Sequence, residues 1–448
     1  MPTALQDGMG HPATTPPGLQ AIPPRLRYRV IVASTIGNAF EWFDFTVFGL
    51  FTIIISRQFF PAESSTNSLL LGTATLGIAF FFRPIGGIVF GLYADRMGRK
   101  SAVANMVLLM ALGSAMIAFV PGYHVIGISA PVLVVVARII QGFSAGGEFG
   151  GATSLLIEYA PPQQRGFYGS FQMCSQALAI TFAGFAAYAL SIWLSASSLN
   201  AWGWRLPFLF GVLVGPVGYY IRKRLRESPE FEAYRTSHPD RTLAGFRNMF
   251  VSNGRSLVSG FGLTVAATIS FYVTFIYMPI FADRELHLPL ADASLSTIMS
   301  GILLVGLCPF TGYLSDRWNR KRMLVLAMAL YALVAFGLTA YLLRAPSLAH
   351  FILLQFISAL CIGFIWGPYP TAVTEVFPVG VRSTSVSLIY NFSVMLFGGL
   401  APLIITWLVK LTGNPMSPAY YIVCGVAISL LSYGLFSRDP RTHSAITP

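Results

Sequence analysis

Five charged side chains stand inside long apolar runs of this 448-residue sequence: Glu41, Asp44, Arg83, Arg138 and Glu148. An ionised side chain at the centre of a bilayer costs about 2.5–3.5 kcal/mol on insertion scales, so such residues face polar cavities and do work there. Three carboxylates and two guanidiniums offer two kinds of chemistry. A guanidinium grips a carboxylate through two parallel hydrogen bonds, which suits an organic anion. A carboxyl group caught between burial and a nearby arginine can take up and release a proton. In the first run, Asn38, Glu41 and Phe45 fall at i, i+3 and i+7 and share a helix face, with Asp44 on part of it. Glu41 or Asp44 is a proton-carrying candidate; the other reading is an ion pair that locks helices together. Arg83 precedes Asp95 by about 18 Å of helix, which sets it near the midplane. It either contacts substrate or neutralises Glu41 or Asp44. Arg138 sits in the outer third of its run, on the side of the helix shared by Gln141 and Glu148.

Other polar residues lie deep in apolar sequence. Gln172 and Gln176, at i and i+4, are cavity-facing candidates or interhelical hydrogen-bonding partners. Tyr272, Tyr277, Gln355, Tyr390 and Asn391 are the few such residues in the second half. Asn38, Tyr272 and Asn391 are taken as substrate-binding candidates with Arg83, Arg138, Gln141, Gln172 and Gln176. The four cysteines lie in apolar segments, match no metal motif and read as packing residues.

The elements that position these residues must be membrane helices. Only 10% of the chain is charged and 55% is hydrophobic, against about 25% charged in a soluble protein. Twelve runs are long enough to span a bilayer: 30–54, 68–94, 101–120, 131–156, 167–193, 204–221, 256–281, 294–314, 322–344, 348–371, 384–409 and 418–436. A charged phrase occurs twice between them. Gly91, Asp95, Arg96, Arg99 and Lys100 recur 221 residues later as Gly312, Asp316, Arg317, Arg320 and Lys321. A second phrase, E-x-x-P-x-x-x-R, runs from Glu158 to Arg165 and again from Glu375 to Arg382. Two repeats at nearly equal offsets imply two matching halves.

Lys and Arg set the orientation. With both termini in the cytoplasm, 22 of the 29 basic residues fall on the inner side and five on the outer. The net charge of +12 therefore reflects topology, with no basic patch for nucleic acid. The expected organisation is an N-terminal tail at 1–27, with no cleavable signal, a six-helix bundle at 28–221, a cytoplasmic linker at 222–255, a second bundle at 256–437 and a C-terminal tail at 438–448. The hinge residues Asp95, Arg96, Arg99, Lys100, Asp316, Arg317 and Arg320, with Glu158, Arg165, Glu375 and Arg382, lie too far from the midplane to touch substrate. They read as a charge network that joins the halves and breaks when the inner side opens. Asn319 replaces Gly98 in the second copy, and could adopt the left-handed conformation less readily.

These phrases resemble the signatures of the major facilitator superfamily, from about residue 28 to 437. The fold implied is an all-α membrane protein with twelve transmembrane helices in two pseudo-symmetric six-helix bundles. The finer resemblance is to its metabolite–proton symporter family. It rests on Gly37–Phe45, Arg83-Pro84-Ile-Gly86-Gly87, the run from Arg138 to Glu148, and Trp202-Gly203-Trp204-Arg205-Leu-Pro207. Within it the chain is similar to citrate and tricarballylate carriers at Phe59–Ser64, Thr374-Glu375-Val376 and Leu411-Thr412-Gly413. Proline–betaine carriers share the first-span phrase.

The resemblance implies import of a di- or tricarboxylate with protons through alternating access in a bacterial inner membrane, by a monomer. It gives Arg138 a role in proton coupling, with Glu41, Asp44 or Glu148 carrying the proton. No metal or cofactor of the protein is implied, although some citrate carriers take metal-bound citrate. The alternative cargo is a zwitterionic osmolyte, or an aromatic acid such as shikimate. A membrane enzyme would need a His–Glu metal motif or a paired nucleophile and base, and neither is found.

Overall fold

The computed structural model describes residues 24–97, 99–213, 216, 254–377 and 382–436, without the side chains of residues 24–30, 32–34, 36–37, 91–92, 94–97, 99–103 and 435–436. Every element among them is helical. We number the spans α1 (Pro24–Leu50, continued by Thr52–Phe59), α2 (Ser65–Met97), α3 (Arg99–Phe119), α4 (Ser129–Glu158), α5 (Arg165–Trp193) and α6 (Leu206–Val212 as described). The second set is α7 (Gly254–Glu285), α8 (Leu290–Arg317), α9 (Arg320–Arg344), α10 (Leu348–Glu375), α11 (Arg382–Thr412) and α12 (Ser417–Phe436).

Among the described residues, nine helices are long and apolar enough to cross a membrane, and the bent α1 makes ten. A shorter apolar helix, Ala104–Phe119, lies within α3, and the rest of α6 falls outside the described residues. Most span limits fall within about four residues of the sequence expectation. α1 is the exception. It begins at Pro24, so the expected tail is shorter than residues 1–27. Proline is compatible with a first helical turn, whose N–H groups have no intrahelical acceptor. α1 also breaks at Phe51 with a bend of 66°. The linker is described only from Gly254 onward, and the C-terminal tail lies outside the described residues.

Two features of the packing bear on function. α2 and α4 touch backbone to backbone: a Cβ at Gly142 would overlap the Ala79 carbonyl, and one at Gly146 the Arg83 carbonyl. Small residues four apart permit such contact. The crossing sets the second half of α4 beside Arg83. In the second set, α7 and α11 each contain a π-helical turn, at Tyr272–Tyr277 and Val394–Gly399. Such turns often mark functional positions in helices. Here they meet, because Gly398 leaves room for the Tyr272 ring.

The two bundles touch at both ends. At the end bearing the hinge phrases, Asp316 of α8 accepts backbone N–H bonds from Gly166 (2.7 Å) and Phe167 (2.9 Å) at the start of α5. Thr371 Oγ1 donates to the Arg165 carbonyl at 2.9 Å. At the opposite end Arg284 donates to Ser65 Oγ (2.9 Å) and Thr66 Oγ1 (2.6 Å), and Lys410 donates to Asn67 Oδ1 (2.7 Å). Among the described residues, hydrogen bonds therefore join the bundles at both ends.

Candidate functional site

The five charges form two clusters. In the first, Arg83 Nη2 donates to Glu41 Oε1 in an ion pair whose members are only 1% and 6% exposed. The guanidinium carbon lies 4.9–5.2 Å from the centroids of Trp42, Phe45 and Phe80. Cation–π contacts at that range offset part of the cost of burying the charge. Glu148, half-buried on α4, lies close enough to Glu41 and Arg83 for their charges to act on it. Tyr272 and Tyr390, from α7 and α11, complete the surroundings of the guanidinium.

The second cluster lies within the first bundle. Asp44 Oδ2 accepts from Ser114 Oγ and from Gln141 Nε2 at 3.3 Å. Gln141 Nε2 also donates to Ser114 Oγ at 3.0 Å, and its Oε1 accepts from Arg138 Nη1 at 2.8 Å. Arg138 reaches Asp44 through Gln141, with its guanidinium 4.6 and 4.4 Å from the Phe45 and Phe48 rings. Asp44 Oδ1 has no hydrogen-bond partner, and neither do Arg138 Nε and Nη2. α6 closes the cluster, since a Cβ at Gly211 would overlap Asp44 Oδ1.

Glu41 and Asp44, read from spacing as sharing part of a face, thus have different partners. Gln141 and Glu148, placed on one face of α4, also divide between the clusters. Ser114 was missed by sequence reasoning. A lone hydroxyl in an apolar run is too common a signal to single out.

A small cavity lies between the bundles, lined by Trp42 and Gln176 from the first and by Thr268, Tyr272, Tyr369 and Tyr390 from the second. Thr268 Oγ1 and the Tyr272 hydroxyl are buried without partners, as is Arg83 Nε. Gln176 Nε2 reaches Tyr390 Oη across the bundles at 3.5 Å. Gln172 is fully buried and its whole side-chain amide is unpartnered.

Two expected ligand groups are occupied within the protein. Asn38 Nδ2 donates to Ser175 Oγ (2.5 Å) and the Gln172 carbonyl (3.3 Å). Asn391 Nδ2 donates to the Gly146 carbonyl at 2.6 Å, linking α11 to α4. Phe149 and Tyr390 stack across the bundles at 3.6 Å and 4°. Nothing in the spacing signals that pair. Among the described residues no group of three or more His, Cys, Asp or Glu could hold a metal ion.

The hinge phrases differ in what can be said of them. The side chains of Asp95, Arg96, Arg99 and Lys100 lie outside the described residues. In the second copy, Asp316 holds the start of α5 while Arg320 bridges Asp316 Oδ1 (3.0 Å) and Glu375 Oε2. Arg317 leaves this network and lies over the Tyr313 ring at 4.4 Å. Arg382 donates to the Thr374 carbonyl at 3.1 Å and faces Glu158, Glu375 and Arg165. The left-handed expectation for Asn319 is overturned. Its φ and ψ are −72° and 104°, and its side chain caps α9 by accepting from Arg322 N–H at 3.0 Å. An N-cap needs an extended backbone, and Asn is a preferred residue there. Of the cysteines, Cys174, Cys308 and Cys361 are buried, but Cys424 is exposed.

Comparison with known proteins follows this geometry. The family model described as Major Facilitator Superfamily matches residues 35–392 and 260–448. A citrate-proton symporter from Klebsiella pneumoniae is 37% identical over 97% of this chain and 98% of its own. A glycine betaine/proline/ectoine/pipecolic acid transporter from Dickeya dadantii is 32% identical over 93% and 84%. Among solved structures, a D-xylose-proton symporter superposes with a TM-score of 0.71 at 21% identity, over 92% of this chain and 98% of that one. A xylose transporter from E. coli in a partially occluded inward-open conformation gives 0.73 at 19%, over 92% and 98%.

Proposed function

The chain belongs to the major facilitator superfamily, and from that premise we propose that it imports an organic acid anion, citrate or a related di- or tricarboxylate, by proton symport. The observation that carries this reading is the state of Arg83. It is buried beside a cavity between the bundles, its one ion pair is with Glu41, and its Nε is unspent. A guanidinium so placed matches a carboxylate, and buried polar atoms without partners favour a ligand that supplies them. The relation to a citrate-proton symporter over nearly the whole chain points the same way.

Proton coupling falls to the carboxylates of the two clusters, Asp44 beside Arg138 and Glu41 beside Glu148. Alternating access is the rocking of the bundles 28–221 and 256–437 about the cavity. The hinge end faces the cytoplasm of a bacterial inner membrane, because the basic residues concentrate there. The Asp316 contacts with α5 hold that side shut and break when it opens. The protein works as a monomer.

A second reading has its own support. Trp42, Tyr272, Tyr369 and Tyr390 around the cavity resemble the aromatic surroundings that favour a quaternary ammonium, and a betaine would add a carboxylate for Arg83. Uptake into proteoliposomes discriminates. Labelled citrate should accumulate under an inward proton gradient, and unlabelled betaine or shikimate should not compete. Loss of uptake in Arg83→Ala is expected, with membrane insertion intact. Citrate uptake indifferent to the gradient refutes proton symport, and competition by betaine alone transfers the site to the osmolyte.

A further inference from the structure

Three cations converge on the start of α2, at the end of the molecule opposite the hinge phrases. Arg57 lies in the last turn of the bent segment of α1, Arg284 in the last turn of α7 and Lys410 in the last turn of α11. The helix dipole favours a cation in each of these places, so none needs an acidic partner to stay there. Arg284 and Lys410 cross between the bundles, and what they meet is neutral: the hydroxyls of Ser65 and Thr66 and the amide oxygen of Asn67. Arg57 makes no hydrogen bond or ion pair among the described residues. Glu63, Asp283 and Glu285 are near in sequence, and none is ion-paired with either arginine.

A crevice between the bundles is lined by Ser56 and Arg57, by Ser65 and Ser68, and by Arg284. The break at Phe51 turns the end of α1 onto α2 here. A Cβ at Gly72 would overlap Ser56 Oγ, and the Ser56 hydroxyl is spent on the Thr52 carbonyl at 2.7 Å. Ser68 differs. It is 5% exposed, and its Oγ has no hydrogen-bond partner among the described residues. Arg57 and Ser65 are exposed, so the crevice opens to solvent. Two guanidiniums and an unspent hydroxyl form a donor set that lacks an acceptor of matching charge.

We propose that this crevice is a second binding site, for a carboxylate of the arriving substrate: the carboxylate docks between Arg57 and Arg284, accepts from Ser68 Oγ, and draws Arg284 away from Ser65 and Thr66. The inference rests on the proposed cargo, an organic acid anion, and on the orientation that makes this end the entry side. A carboxylate offers Arg284 a full opposite charge and a bidentate fit, which two separate hydroxyls cannot match. It also relieves the repulsion between the two arginines by lying between them. The partial positive charge at the start of α2 adds to the attraction. Loss of the Arg284 contacts removes two of the three hydrogen bonds described between the bundles at this end. Arrival of the anion therefore loosens the entry side before the substrate reaches Arg83.

The full chain in phosphatidylcholine liposomes tests this, with spin labels at Ala62 and Leu411, exposed residues of opposite bundles at this end. Citrate should lengthen the distance between the labels, and should do so equally in Arg83→Ala, where the central guanidinium is gone. Arg57→Gln should raise the citrate concentration at half-response about two- to fivefold, as for an exposed ion pair. Ser68→Ala should raise it roughly tenfold, as for a buried hydrogen bond to a charged group. In uptake, the loss in both variants should fall on KM rather than on kcat. A distance indifferent to citrate overturns the proposal, and so does a response that vanishes in Arg83→Ala, which would belong to the central site. An equal response to the same concentration of sodium chloride or inorganic phosphate overturns the carboxylate assignment. A distance already long in liposomes containing phosphatidylglycerol, and unmoved there by citrate, gives the site to a lipid headgroup instead. Should citrate lengthen the distance in a wild type that transports no citrate, the crevice stands and the reading of the cargo fails.

Discussion

Asp316→Asn tests the closed hinge end most directly. Both carboxylate oxygens of Asp316 are used, Oδ1 by the Gly166 N–H and Arg320, and Oδ2 by the Phe167 N–H. Asparagine keeps one acceptor oxygen and turns an NH₂ group toward the other donor. The change removes one hydrogen bond to a charged group, about 1.5–3 kcal/mol. It also removes the negative charge from the start of α5, about 0.3–1 kcal/mol. Arg320 keeps its pair with Glu375 and returns little of the loss. The net cost to the closed hinge end is about 2–3 kcal/mol, which displaces the equilibrium toward opening roughly 30- to 150-fold.

Spin labels at Gln163 and Arg322, both exposed near that end, report the change. Their distance distribution should move to longer separations in Asp316→Asn and stay near wild type in Asp316→Glu. Citrate uptake should slow while binding persists. A distribution identical to wild type would show that the Asp316 contact does not hold the bundles together.

Three further outcomes are expected. Gly142→Ala forces a Cβ into the Ala79 carbonyl, and overpacking of this kind costs about 1–3 kcal/mol; a thermal midpoint equal to wild type would contradict the backbone contact of α2 and α4. Asp44→Asn should retain counterflow but lose proton-driven accumulation, and wild-type accumulation would remove Asp44 from the coupling. A water-soluble maleimide should leave all four thiols of the protein in liposomes largely unmodified, since Cys174, Cys308 and Cys361 are buried and Cys424, on the protein's outer surface, lies within the span α12 where a thiolate does not form; rapid modification of any of the buried three would contradict their packing.

The sequence foretells the helices well because a bilayer demands long apolar runs, and little else in a chain interrupts them. It fails at α1 for a physical reason. Pro24 and the arginines after it look like tail, yet proline suits a first helical turn. The break at Phe51 has no proline to announce it. The five charges are legible for the opposite reason, since each is costly enough to need a use. Their partners are not legible, because partnership depends on which helices are neighbours. Asp44 lies three residues from Glu41, but α6 and Ser114 of α3 meet it while Arg83 of α2 meets Glu41. Asn319 shows the same limit at a smaller scale. Residue type allowed either a left-handed turn or a cap, and the start of α9 selected the cap.

The unequal division of charge between the bundles bears on the energetics of the proposed cycle. All five of these charges, Glu41, Asp44, Arg83 and Arg138 buried and Glu148 half-buried, belong to α1, α2 and α4, so both clusters travel with one bundle. Had Glu41 and Arg83 faced each other across the bundles, each opening would separate a buried ion pair, at about 3–5 kcal/mol. Around the cavity, the contacts that cross are weaker individually, and include the Phe149–Tyr390 stack, the edge-on Trp42–Phe271 and Phe80–Tyr272 pairs, the Gln176–Tyr390 contact and the Asn391 hydrogen bond to Gly146. A stacked aromatic pair is worth about 0.5–1.5 kcal/mol beyond its buried area, and a neutral hydrogen bond about the same. Tyr390 takes part in two of these and also faces Arg83. On the proposed function, a carboxylate arriving at Arg83 would meet one of the side chains that join the bundles. On that reading, substrate would loosen a contact between the bundles while both charge clusters stay within the first.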